Sequence, residues 1–98
     1  MKATELKEKL QKNEAVRILD VREKEEFLPE ETIPGAENMP MGKVFLEATR
    51  GNLPKDQPIV TVCKTGTRCE IVARELKQKG YNIEHLEGGL DAWKQAAI

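Results

Sequence analysis

The chain has 98 residues, of which 39% are hydrophobic and 34% are charged, a composition typical of one compact domain. Its 16 Lys and Arg residues nearly balance its 17 Asp and Glu residues, so its overall field does not favour nucleic acid or anionic lipid. Aromatic residues make up only 4%, too few for a base-stacking surface. We therefore interpret residues 1–98 as a single domain with no nucleic-acid partner.

The sequence contains no segment that predicts export or membrane insertion. Its first ten residues mix charges with leucines and have no apolar core, unlike a signal peptide. The longest mostly apolar stretch, residues 15–21, is far shorter than the roughly 20 residues of a membrane span. Cys63 and Cys69 are the two cysteines, and a close pair in such a chain suggests free thiols in a reducing compartment. We expect a cytoplasmic protein with no membrane partner.

In the first half of the chain, hydrophobic periodicity predicts a helix followed by a strand. The helix covers residues 5–12, with Thr4 as its cap and with Leu6 and Leu10 one turn apart. The branched residues of 15–20 are typical of a buried strand. Shorter elements follow, and they are an acidic helix at 23–27 stopped by Pro29, a turn at 33–36, an extended segment at 37–39 and a helix at 41–48.

The second half repeats the alternation of strand and helix. The predicted elements are a strand at 59–62, a helix at 67–79 ended by Gly80, a strand at 81–86, a turn at Gly88-Gly89 and a helix at 90–97 that carries Trp93. Strands that alternate with helices predict an α/β fold, in which a parallel central sheet has helices on both faces. Sites in such sheets form at the carboxyl ends of strands, which favours the loop after residue 62.

That loop joins a strand to a helix, and its residues are Cys63, Lys64, Thr65, Gly66, Thr67 and Arg68. Successive backbone N–H groups at a helix start have no partner within the helix and can form an anion-binding nest. Gly66 permits the close turn that a nest needs, and Lys64 and Arg68 add positive charge. We therefore expect Cys63 to be a nucleophile, although a cysteine that merely ends a buried strand is the simpler alternative.

The free energies are compatible with a reactive thiol at this position. A cysteine with an ordinary pKa of about 8.5 is only about 3% thiolate at pH 7. A pKa lower by two units requires about 2.7 kcal/mol, which hydrogen bonds to the charged sulfur and a helix terminus can supply together. No histidine base is then needed at the site.

Four segments carry a resemblance to a known family, and they are Leu19–Arg22 with Glu26-Phe27, Ile33–Ala36 with Asn38, the loop Cys63–Arg68, and Leu86–Gly89 with Trp93. In this order and spacing the chain resembles a single-domain rhodanese-like sulfurtransferase. The resemblance implies that the Cys63 thiolate attacks the sulfane sulfur of a small anionic donor such as thiosulfate. It further implies that a persulfide forms, and that cyanide, a thiol or a protein thiol removes the outer sulfur. No cofactor and no metal are expected.

The resemblance also assigns expected roles to the residues of the loop. Residues 64–68 would bind the donor, because their N–H groups cradle the persulfide and the departing anion. Arg22 is an accessory candidate that adds positive potential, or else it pairs with Asp20 to fix the loop. Cys69 faces the sheet with the apolar stripe of its helix, or else it resolves the persulfide. His85 is the only histidine, so we expect no metal cluster.

Two alternative functions remain open at this stage. A persulfide carrier or interaction module would use the same cysteine with little thiosulfate turnover. Cysteine-dependent phosphatases place an arginine six positions after the cysteine, whereas Arg68 follows Cys63 by five, which disfavours phosphate. The chain also departs from the family pattern at Glu31-Thr32, where many members have Gly-His, so the geometry of that loop is expected to differ.

Overall fold

The structure, a computed structural model, describes residues 1–96 and alternates strands with helices. Its helices and strands are α1 (Ala3–Gln11), β1 (Arg17–Asp20), β2 (Glu37–Asn38), α2 (Met41–Thr49), β3 (Ile59–Val62), α3 (Thr67–Gln78), β4 (Ile83–His85) and α4 (Gly89–Gln95). Two short 3₁₀ turns, Lys24–Glu26 and Pro29–Glu31, lie between β1 and β2. The first corresponds to the predicted acidic helix, and the second begins at the proline that was expected to stop it.

The four strands form one parallel sheet in the order β2-β1-β3-β4. The predicted parallel α/β architecture is therefore confirmed. In the central pair, Arg17 lies opposite Ile59 and Asp20 lies opposite Val62. Because parallel strands end at the same edge, the segments that follow Asp20 and Val62 lie side by side.

Helices cover both faces of the sheet, and each face has its own apolar core. On one face α2 and α3 pack over a cluster that includes Leu19, Val44 and Leu76. On the other face α1 and α4 pack over a cluster that includes Leu6 and Val60, with Trp93 at its margin. Alternate residues of β1 and β3 enter opposite clusters, as the pleat of a strand requires.

The ends of the elements differ from the sequence prediction for identifiable reasons. Helix α1 begins at Ala3 rather than after Thr4, and the Glu5 carboxylate accepts the N–H of Lys2 at 3.4 Å. Strand β1 begins at Arg17 because the first bond to its neighbour runs from the Arg17 N–H to the carbonyl of Pro58. The predicted end of the last helix at residue 97 lies outside the described residues. Within residues 1–96 no helix combines the length and apolar character needed to cross a bilayer.

Candidate active site

Cys63 directly follows β3, and its sulfur lies under the turn that starts α3. Gly66 precedes the first residue of α3 and has φ of +106°, a left-handed conformation that favours glycine. The Gly66 N–H donates to the Cys63 Sγ at 3.1 Å, and the Cys69 N–H does so at 3.5 Å. The predicted nucleophile therefore faces backbone donors, but the residue is only 1% exposed.

The thiol of Cys69 is the second sulfur at this position. Its Sγ lies 3.4 Å from the Sγ of Cys63, and Cys69 is fully buried in the apolar core of the domain. The stripe of α3 therefore does place Cys69 against the sheet, as expected, and it also places the thiol against the candidate nucleophile. The carbonyl of Gly66, at 3.3 Å from the Cys69 Sγ, is a further acceptor for its proton.

The two thiols differ sharply in acidity because of this contact. Hydrogen bonding from the Cys69 thiol is the main cause that lowers the pKa of Cys63, and the backbone N–H groups of Cys69, Gly66 and Arg68 act in the same direction. Burial opposes them, and together they place the pKa at about 5. The pKa of Cys69 is raised, first by its bond to Cys63 and then by burial. These opposite shifts favour the thiolate at Cys63 and the thiol at Cys69.

The start of α4 holds the first two carbonyl groups of the loop. The Leu90 N–H donates to the Cys63 carbonyl at 2.8 Å, and the Asp91 N–H donates to the Lys64 carbonyl at 3.1 Å. Any Cβ at Gly89 would overlap these two carbonyl oxygens, so the helix approaches this closely only with glycine. The Gly-Gly segment, interpreted as a turn from the sequence, is thus the contact that orients the loop.

Both cations of the loop have carboxylate partners. The Arg68 guanidinium forms two hydrogen bonds with the Glu26 carboxylate, at 2.7 and 2.9 Å. This bond lowers the pKa of Glu26 to about 2 and raises that of Arg68. The Lys64 Nζ lies 3.9 Å from the Asp91 carboxylate. The charges near the sulfur are therefore largely balanced, which loop composition alone did not predict.

Arg22 belongs to a buried network with Asp20 rather than to a contact with the sulfur. Asp20 is fully buried and accepts from the Arg22 Nη2 at 2.9 Å, from its Nε at 3.0 Å and from its backbone N–H at 3.1 Å. The Thr32 hydroxyl donates to the same carboxylate at 3.2 Å. Asn38 bridges the carbonyls of Asp20 and Arg22. The Glu31-Thr32 departure thus supplies a hydroxyl partner for the buried carboxylate.

The two threonines of the loop lie on the surface. Thr65 and Thr67 are exposed, and they line a cleft of about 600 Å³ that also includes Gly66 and His85. The imidazole of His85 lies 3.9 Å from the Glu70 carboxylate. Cys63 does not line this cleft. The bond between Glu26 and Arg68 was not predicted from the sequence.

Comparison with known proteins agrees with the parallel α/β fold. The family model described as the Rhodanese-like domain matches residues 2–96. A rhodanese-related protein from Thermoplasma volcanium superposes with a TM-score of 0.81 and 29% identity, over 97% of this chain and 89% of its own. The chain therefore belongs to the rhodanese-like domain family, and the resemblance that its motifs indicated is confirmed.

Relatives in this family bear names that refer to sulfur transfer or sulfur carriage. The chain is 36% identical over 89 residues to "Putative sulfurtransferase YtwF" of Bacillus subtilis, covering 91% of this chain and 84% of that protein. It is 34% identical over 88 residues to "Putative sulfur carrier protein YrkF" of the same organism, covering 89% of this chain. This chain spans only 46% of that second protein, so the activity of the longer protein is not assigned to this chain. The family is that of the rhodanese-like sulfurtransferases.

Proposed function

We propose that residues 1–98 form one rhodanese-like domain that moves sulfane sulfur from a thiosulfate-like donor to cyanide or a thiol through a Cys63 persulfide. The observation that supports this most is the set of donors around one sulfur, with Gly66 N at 3.1 Å and the Cys69 thiol at 3.4 Å. Donors fixed in advance around a buried sulfur stabilise its anion without reorganisation during the reaction.

In the first step the Cys63 thiolate attacks the outer sulfur of the donor. The donor S–S bond breaks, sulfite leaves with its electron pair, and Cys63 carries a persulfide. In the second step the acceptor attacks the outer sulfur, which regenerates the thiolate. Cyanide yields thiocyanate, and a thiol yields a new persulfide. Both steps conserve the thiolate charge at the loop, so the same donors serve throughout.

The residues after Cys63 are proposed to bind the donor. N–H groups of α4 bind the carbonyls of Cys63 and Lys64. Because the C=O and N–H groups of a trans peptide point in opposite directions, the N–H groups of Lys64 and Thr65 face away from α4, where they can meet the outer sulfur. Thr67 and Arg68 open α3, so their N–H groups lie at its positive end. Lys64 and Arg68 would attract an anionic donor once it competes with their carboxylate partners, and Arg22 would add weaker positive potential.

The test is sulfur loading of the wild type and of Cys63→Ser. After exposure to thiosulfate and removal of the excess, intact mass should show one added sulfur atom in the wild type and none in the variant. Sulfite and thiocyanate assays then measure turnover with cyanide. A folded wild type that neither gains sulfur nor releases sulfite would exclude both a sulfurtransferase and a sulfur carrier.

A sulfur carrier is the second candidate, and the burial of the candidate nucleophile favours it. Cys63 is 1% exposed, and the neighbouring cations are paired, so a small anion meets little free positive charge at the entrance. Such a site suits a persulfide that persists until a protein acceptor binds. Full sulfur loading with slow thiocyanate formation supports the carrier, whereas rapid formation supports the thiosulfate enzyme.

A further inference from the structure

The Cys69 thiol is a second buried nucleophile in contact with the first. The two Sγ atoms are 3.4 Å apart, and both residues lie in the same core cluster. A disulfide needs a separation of about 2.05 Å, so the sulfurs must approach by little more than 1 Å. Rotation about χ1 of the two short side chains can move the sulfurs by this distance.

The surroundings of Cys69 also provide places for its proton. Besides the Cys63 sulfur, its Sγ has the Gly66 carbonyl at 3.3 Å and the Leu86 carbonyl at 3.7 Å. Its own backbone N–H points to the Cys63 Sγ. The thiol is therefore held beside Cys63 whether or not its proton is directed there.

We propose that Cys69 resolves the loaded site by attacking the Sγ of the Cys63 persulfide, which forms a Cys63–Cys69 disulfide and releases hydrosulfide. The bond between the Cys63 Sγ and the outer sulfur breaks, and its electron pair leaves with the outer sulfur. The Cys69 proton ends on that sulfur. Two electrons from the cysteine pair thus reduce the sulfane sulfur to sulfide, with no external oxidant. A thiol reductant returns the pair to its starting state.

The charge on Cys63 controls when this attack occurs. In the unloaded state the Cys63 thiolate accepts the Cys69 proton and raises the pKa of Cys69, so that Cys69 stays a thiol. Loading moves the negative charge to the outer sulfur, which removes much of that effect and leaves an electrophilic sulfur in contact with Cys69. Attack from the core side reaches the inner sulfur, whereas cyanide or an external thiol attacks the outer one. Cys69 therefore limits the lifetime of a persulfide that finds no acceptor.

The proposal rests on the proposed function, because it needs a loaded Cys63, and one experiment separates the two. The full chain and its Cys69→Ala and Cys69→Ser variants are loaded to completion with thiosulfate, freed of excess donor and incubated without acceptor. In the wild type, intact mass should show the added sulfur disappearing and a chain two hydrogens lighter than the reduced protein, with one sulfide released per chain. Both variants should keep the added sulfur at least tenfold longer.

Each outcome bears on the proposal. A peptide map of the wild-type product should show residues 63 and 69 linked, and dithiothreitol should restore the reduced mass. Equal lifetimes of the added sulfur in the wild type and in either folded variant would overturn the role of Cys69 and leave sulfur transfer intact. Failure of all three chains to gain sulfur would overturn both proposals.

Discussion

The segments at the carboxyl ends of β1 and β3 each contain a buried ionisable side chain, but the partners of the two side chains differ. Asp20 and Cys63 are 0% and 1% exposed, and they emerge from neighbouring parallel strands at the same edge of the sheet. Asp20 is bound by the Arg22 guanidinium in a fixed, two-pronged geometry. Within residues 1–96 the hydrogen-bond donors to Cys63 are backbone N–H groups and the Cys69 thiol. A strand end thus yields a structural anion where a cation pairs with it and, as we propose for Cys63, a nucleophile where neutral donors surround it.

The largest expected effect comes from breaking the buried ion pair between Asp20 and Arg22. Asp20→Asn leaves the Arg22 guanidinium buried without its charge partner, which typically costs about 3–5 kcal/mol of unfolding free energy. Urea denaturation at neutral pH measures the loss. Glu37→Gln is the matched control, since it breaks the two-pronged but exposed Arg17–Glu37 pair and should cost below about 1 kcal/mol. Equal losses in the two variants would refute the structural role of Asp20.

A second variant disturbs only the loop that contains Cys63. Gly89→Ala places a Cβ on the carbonyls of Cys63 and Lys64, so we expect a loss of about 2–3 kcal/mol and at least tenfold slower sulfur loading. Gly35→Ala is the control, because Gly35 has φ of +85° but open space around its Cβ position. It should cost about 1–2 kcal/mol from backbone strain and leave loading unchanged. Unchanged loading in Gly89→Ala would show that α4 does not orient the loop.

The pH dependence of stability tests the proposed thiolate of Cys63. The folded pKa of Cys63, about 5, lies below that of an unfolded thiol, so its thiolate stabilises the fold fully above the unfolded value. That stabilisation should decline as the pH falls from about 8.5 and vanish below about 5. The difference in unfolding free energy between wild type and Cys63→Ser measures it, and thiolate ultraviolet absorbance reports the midpoint. A midpoint near 8.5 in the folded chain would contradict the proposed activation.

The smallest expected effect concerns the ion pair that joins the two segments. Glu26→Gln releases Arg68, so the KM for thiosulfate should fall roughly two- to fivefold, and its dependence on salt should increase. Glu25→Gln removes the same charge one position away and should change the KM less than twofold. Arg68→Ala should raise the KM while the fold persists. Identical KM values for Arg68→Ala and wild type would remove Arg68 from donor binding.

The sequence predicted the parts of this molecule that follow from local pattern. The stripe Cys69, Val72, Ala73 and Leu76 predicted α3 nearly to its ends, because residues three and four apart share one face of a helix. The strand at 59–62 was predicted with its observed bounds because its branched residues are buried on both faces. A glycine between strand and helix likewise predicted the turn over the sulfur.

Contacts between distant exposed residues had no comparable signal. Glu26 and Arg68 are 42 positions apart, and although each lies in a motif of the chain, nothing in either motif pairs one with the other. Helical periodicity directed Cys69 inward, but it did not say that the neighbouring atom would be the sulfur of Cys63. The sequence therefore predicted the backbone N–H groups around the sulfur and two cations beside them, but it predicted neither the carboxylate partners of those cations nor the thiol in contact with the sulfur.

The two bonds from α4 to the Cys63 and Lys64 carbonyls make the sulfur loop a product of two remote stretches of sequence. A hexapeptide grafted from residues 63–68 into another strand-to-helix junction would lack the two hydrogen bonds from α4 that orient its peptide planes. Transplanting the chemistry into a designed scaffold therefore requires the glycine pair and the first turn of the last helix as well.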